Sequence, residues 1–206
     1  MSAMSNAIAC EAIASHADFR RLDSIAGIAV DLRYATPDNF VGRDLYAPLD
    51  CAWLHRDAAL ALEKSAAWLA ARQPDHVLLV LDALRPQRVQ EQLWQALQGT
   101  DLLSYIAEPA RGSIHSFGMA LDVTLVDGAG RELDMGTGFD DLSEHSHPAL
   151  EAQWLARGEL SAQQIANRQL LRDAMSHAGW IGIASEWWHF DCGDRLLVRR
   201  DYTRVL

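Results

Sequence analysis

The chain has 206 residues, half of them apolar and 22% charged, with 18 Lys and Arg against 28 Asp and Glu and a formal net charge of -10. That length suits one domain with a proper core, and the acidic balance argues against a broad basic face for nucleic acid. No apolar run approaches the roughly 20 residues that span a bilayer, and Cys10, Cys51 and Cys192 show neither the spacing of a disulfide framework nor that of a thiolate zinc site.

Residues 1–22 are Ala-rich and read as a short helix or a loose arm, with residues 23–206 as the domain. Glu11, His16 and Asp18 fall in that first stretch, and no basic segment precedes an apolar one, so a cytoplasmic chain is expected. Ile28–Ala35 alternates as a strand does, and "TPDNFVG" supplies turn residues. Between Ala52 and Gln73, the residues Leu54, Ala58, Ala61, Leu62, Ala66 and Leu69 form a helical stripe, and Pro74 follows.

His76–Ala83 is a continuous apolar run that predicts a buried strand. Pro86 suits the first position of the next helix, which leaves Arg85 at a strand-to-helix junction. "MALDVTLVDGAGRELDMG" reads as two strands with a turn at 127–130, followed by a polar loop, "MGTGFDDLSEHSHP". Ser161 and Gln164 make a capping box for a helix to about His177, with Gly179 as its stop. "WIGIASEWWHFD" and "RLLVRRDYTRV" read as final strands. The order predicts an α+β domain with a central, mostly antiparallel sheet and flanking helices.

Two segments concentrate polar chemistry in apolar surroundings: "GSIHSFGMALDVTL" with His115 and Asp122, and "SEWWHFD" with Glu186 and His189. A catalytic zinc commonly keeps three protein ligands. His115, Asp122 and His189 supply two imidazoles and a carboxylate, which leaves Glu186 to take the proton of an activated water. The spacing sets a condition. His115 and Asp122 are seven apart and would face opposite sides of a flat strand, so the chain must bend at Ser116–Gly118 for both to reach one ion. Each motif alone is weak, and four separate core or surface residues remain the plain alternative.

Together the motifs resemble a known family. "SIHSFGMALDVTL" is similar to the S-x-H-x-x-G-x-A-x-D motif of the D-alanyl-D-alanine dipeptidases and their zinc D,D-carboxypeptidase relatives, and "EWWHF" to their E-x-W-H motif. "DLRYATPDNFVG", "LDALRPQRVQ" and "MGTGFDDLSEHSH" resemble dipeptidase segments in the same order. The resemblance implies one zinc in a cleft on the sheet, held by His115, Asp122 and His189, with Glu186 as general base and Arg85 stabilising the oxyanion. It implies that Ser113 contacts substrate, that Asp140 or Asp141 holds the substrate ammonium, and that Tyr34 closes the same end. The implied partner is the small dipeptide D-Ala-D-Ala, with no nucleic acid and no membrane. Two alternatives remain: a zinc D,D-carboxypeptidase acting on longer wall peptides, and a non-catalytic zinc-binding module. The sequence leaves the oligomeric state open.

Overall fold

The computed structural model describes residues 6–206. Its elements run β1 (Ala7–Ile8), β2 (Phe19–Arg21), β3 (Ile28–Val30), β4 (Trp53–His55), α1 (Arg56–Arg72), β5 (Val77–Asp82), α2 (Gln87–Ala96) and β6 (Ala120–Val126). Then come α3 (Glu151–Arg157), α4 (Ala162–His177), β7 (Trp180–Gly182), β8 (His189–Cys192), α5 (Arg195–Asp201) and β9 (Arg204–Val205). Five strands form the central sheet in the order β3-β5-β6-β8-β7. Only β3 and β5 run parallel; the remaining neighbours are antiparallel. This is the expected α+β architecture, and among the described residues no helix is long and apolar enough to cross a membrane.

The period of two along β5 and β6 sorts side chains between two faces. Leu78, Val80, Leu121, Val123 and Leu125 join the main core with Leu62 and Leu69 of α1 and Leu171 and Met175 of α4. Leu79, Leu81 and Val126 belong to a separate small cluster. Asp122 is out of phase with Leu121 and Val123, so it leaves the helix-covered core for the opposite face of the sheet. Burying apolar surface under α1 and α4 is what fixes this register: a slip of one residue would bring Asp122 into the core.

The helix signals act as expected at α4. Ser161 accepts from the Gln164 N–H, and the Gln164 side chain accepts from the Ser161 N–H. Elsewhere the local structure corrects the sequence. The strand expected over Ile28–Ala35 stops at Val30, and residues 33–35 form a 3-10 turn that buries Tyr34. The helix expected from Ala52 starts at Arg56, because residues 53–55 pair with β2. Pro86 is the N-cap of α2, not its first residue. After β6 the hairpin shrinks to one bridge, Val126 to Glu132.

The largest correction is at the C-terminus. "RLLVRRD" is α5, and only Arg204–Val205 is a strand. Asp194 starts the helix by accepting from the N–H groups of Leu196 and Leu197, a cap that outweighs the β-like apolar run. Residues 1–5 of the expected arm lie outside the described residues. From Ala7 onward the chain is built in: β1 pairs with β9, β2 pairs with β4, and Cys10, Ile13 and Phe19 are buried.

Candidate active site

The chain bends where the motif spacing requires it. Residues 114–117 form a 3-10 turn, and Gly118 ends the turn in the left-handed region at φ 63°. A side chain at Gly118 would also meet the backbone N of His55, 2.7 Å from its Cβ, so both conformation and space select glycine. The turn lets His115 reach the face onto which Asp122 projects from β6. Across the sheet, Asp122 pairs in register with His189, the first residue of β8.

Three donor atoms converge. His115 Nε2 lies 3.2 Å from His189 Nδ1, His189 Nδ1 lies 3.0 Å from Asp122 Oδ1, and His115 Nε2 lies 3.5 Å from Asp122 Oδ1. A tetrahedral zinc with ligands at about 2.0–2.1 Å separates neighbouring ligand atoms by about 3.3 Å, so this triangle has the size of one tetrahedral face. The far nitrogens are tied off. His115 Nδ1 donates to the Ala83 carbonyl at 2.8 Å, and since a carbonyl only accepts, the lone pair of the neutral ring sits on Nε2. His189 Nε2 donates to Asp191 Oδ1 at 3.0 Å, which turns Nδ1 inward in the same way. Donor set, spacing and tautomers all fit a zinc ion.

Charge points the same way. Asp82 is wholly buried, Asp122 and Asp191 nearly so, and Arg85 is the buried cation beside them. Burial opposes the charge of Asp122, but His115 and then His189 hold its carboxyl far below the usual range. Burial also opposes a charged His189, yet its hydrogen bonds to Asp122 and Asp191 raise it to about 10. A proton shared in this triangle is what a divalent cation would replace.

Around the triangle is a cavity of about 260 Å³. Tyr34, Arg85, Ser113, Asp140 and Glu186 line it, and Asp141 does not. Asp141 instead accepts from the Ser143 N–H. Glu186 sits in the connection between β7 and β8; burial is the main cause that raises its pKa, partly opposed by His189. Asp140 adopts φ 62°, rare for a non-glycine residue. Its Oδ1 accepts from the Tyr34 hydroxyl at 3.1 Å, and its Oδ2 is buried with no partner. Burial, with Asp122 adding repulsion, pushes the Asp140 carboxyl well up.

Arg85 is gripped by its neighbours. Its Nε and Nη2 donate to Asp82 Oδ2 at 2.9 and 2.6 Å, Nη2 also to Asp122 at 3.3 Å, and Nη1 to Gln90 at 3.3 Å. Asp82 is held in turn by the Tyr46 hydroxyl and the Ala83 N–H.

Residues 15–205 match the peptidase M15 family described as D-ala-D-ala dipeptidase. The chain belongs to this family. The dipeptidase-family chain is 40% identical to the D-alanyl-D-alanine dipeptidase of Escherichia coli (strain K12), over 80% of its own length and 78% of the relative's. It is 33% identical to the D-alanyl-D-alanine dipeptidase of Enterococcus faecium, over 84% and 90%. The Synechocystis dipeptidase of the same name is 32% identical, over 66% and 67%. Membership makes the chain a peptidase, and the family resemblance read from its motifs holds.

Two supporting residues escaped the sequence. Asp191 follows His189 by two along β8, the spacing that shares a strand face, and that spacing was the signal. Asp82 precedes Arg85 by three, but nothing in the apolar run at 76–83 marks it as the arginine's anchor. The remaining histidines stay outside the site. His145 stacks on Trp154 and pairs with Glu159, and His147 meets the Tyr105 hydroxyl. Of the two adjacent tryptophans, Trp187 donates to Thr137 and Trp188 lines the cavity.

Proposed function

We propose that the chain hydrolyses the dipeptide D-alanyl-D-alanine to D-alanine, with one zinc ion held by His115, Asp122 and His189. The observation that carries this reading is the donor triangle: three inward-facing ligand atoms, their outer partners fixed, in a cavity shared with Glu186 and Arg85. The names of the dipeptidase relatives supply the substrate. Zinc bound there supplies Lewis acidity, which makes water a nucleophile near neutral pH.

The chain's own groups do the rest. Glu186, with a pKa raised by burial, takes a proton from the attacking water and returns it to the leaving amine. Arg85, fixed by Asp82, places its charge where the carbonyl oxygen becomes negative, so its help grows in the transition state. Its Nη1 carries two N–H groups, and Gln90 accepts one of them. Asp140 presents an unpaired Oδ2 to the substrate ammonium, with Tyr34 steadying the carboxylate. An arriving ammonium favours the ionised form of Asp140, which burial disfavours in the free protein. Ser113 contacts the substrate from the turn that carries His115.

The test is hydrolysis of D-Ala-D-Ala and of a wall pentapeptide ending in it, each before and after a chelator and again after zinc is restored. Zinc-dependent cleavage of the free dipeptide alone is the expected result. Preference for the pentapeptide would make the chain a carboxypeptidase, and cleavage of neither would leave a binding module.

A further inference from the structure

The cavity wall carries further charge that the donor triangle and Asp140 do not explain. Arg111, Arg195 and Arg199 line it, in a chain whose net charge is -10. Arg195 opens α5 and Arg199 lies one turn on, so both project from one face of that helix. Arg111 comes from the segment before Gly112, and Arg199 ties that segment to α5. Its Nε donates to the Gly112 carbonyl at 3.1 Å and its Nη1 to the Arg195 carbonyl at 3.3 Å. These bonds go to neutral carbonyls and leave the charge uncompensated.

Nearby anions cancel only part of this charge. Asp191 is the carboxylate that pairs with Arg195, and it already accepts from His189. Arg111 donates no side-chain hydrogen bond within the protein among the described residues. Burial and the repulsion of Arg111, Arg195 and Arg204 lower the pKa of Arg199, while Asp191 opposes them. Holding like charges together costs free energy unless an anion joins them. Ser113, two residues from Arg111, lies in the wall of the same cavity, whereas Asp140 supplies a carboxylate. The cavity wall thus carries both signs of charge, with the donor triangle among its residues.

We propose that Arg111, Arg195 and Arg199 form the subsite for the free carboxylate of the substrate. The subsite selects short peptides with an unblocked C-terminus, held as zwitterions between Asp140 and the arginines. This rests on the peptide-hydrolase reading of the cavity. Guanidinium and carboxylate match in geometry as well as charge. Amidating the substrate carboxyl removes the charge while leaving the scissile bond in place.

The experiment compares kcat/KM of the zinc-loaded protein on D-Ala-D-Ala and on its C-terminal amide. Wild type is expected to prefer the acid by about tenfold or more. Arg111→Gln, at an exposed side chain without internal bonds, lowers that preference through KM, and Arg199→Gln lowers it further. Arg199→Lys restores part of it. An acid-to-amide ratio that stays at the wild-type value in both Gln variants overturns the proposal, as does a wild type that does not discriminate. Tryptophan fluorescence titrated with N-acetyl-D-alanine and with its amide reads the subsite without turnover. If wild type cleaves neither dipeptide yet binds the acid in an Arg111-dependent way, the dipeptidase reading fails and the carboxylate subsite stands. If it binds neither, the subsite fails as well.

Discussion

Asp122 and His189 face each other in register across β6 and β8, with Oδ1 and Nδ1 3.0 Å apart. Each reaches the same point from a different strand, and His115 reaches it from the turn before β6. Replacing His115 or His189 by Ala removes one corner of the triangle. Either variant is expected to lose stoichiometric zinc in metal analysis after gel filtration while still unfolding cooperatively. Retained stoichiometric zinc in both would place the ion elsewhere.

Asp191 acts through His189 rather than on an ion. Asp191→Asn keeps a hydrogen-bond partner for Nε2 but drops the charge, and carboxylate–histidine partners of this kind are typically worth about 10–100-fold in metal affinity. A competition titration against a zinc indicator measures it. An unchanged affinity would reduce Asp191 to an anchor for Arg195.

Glu186→Gln conserves shape and removes the carboxylate proposed as the base. Zinc content is expected to stay at the wild-type level while kcat on D-Ala-D-Ala falls by about 10²–10⁴-fold. Wild-type turnover in this variant would take the proton transfer away from Glu186. Arg85→Ala is expected to act chiefly on kcat, because a fixed charge at the oxyanion matters most in the transition state. An effect confined to KM would make Arg85 a binding group.

Gly118 is a stability prediction independent of chemistry. Ala there meets both the left-handed φ and the His55 backbone. Gly118→Ala is expected to lower unfolding free energy by about 1–3 kcal/mol or more, measured by urea denaturation. A neutral result would show that the turn relaxes.

His55 predicts a pH dependence. Its Nδ1 accepts from the Asp57 N–H and so caps α1, which only the neutral ring does. Tyr202 and Phe19 pack on the ring, Asp57 and Asp18 favour its charge, and Arg56 and His16 oppose it. Burial dominates and lowers the pKa below the ordinary 6.5. The unfolded chain therefore binds the proton first. The stabilisation is complete above the unfolded value and is lost as pH falls from there through the folded one. His55→Asn keeps an acceptor but does not titrate. Between about pH 7.5 and 5.5 its urea midpoint is expected to fall less than that of wild type.

Much of this was legible in the sequence because it rests on local signals. The Ser161–Gln164 box is contiguous, and the odd spacing from His115 to Asp122 forced a bend that Gly118 provides. Asp140 and Asp141 are equivalent neighbours until the backbone turns at φ 62° and only one of them lines the cavity. The Asp194 cap was legible too, but an apolar run suggested a strand more loudly. Asp82 under Arg85 and the arginines from residues 111, 195 and 199 depend on tertiary approach, where no short-range pattern exists.

The in-register contact of Asp122 with His189 also bears on assembly of the sheet. Sliding β8 by one residue along β6 would send His189 through to the opposite face and seat Phe190 beside Asp122. Any ion that needs both residues therefore discriminates between strand alignments. An ion held by both residues would favour the native alignment over a slipped one by mass action, since only the native alignment offers both ligands.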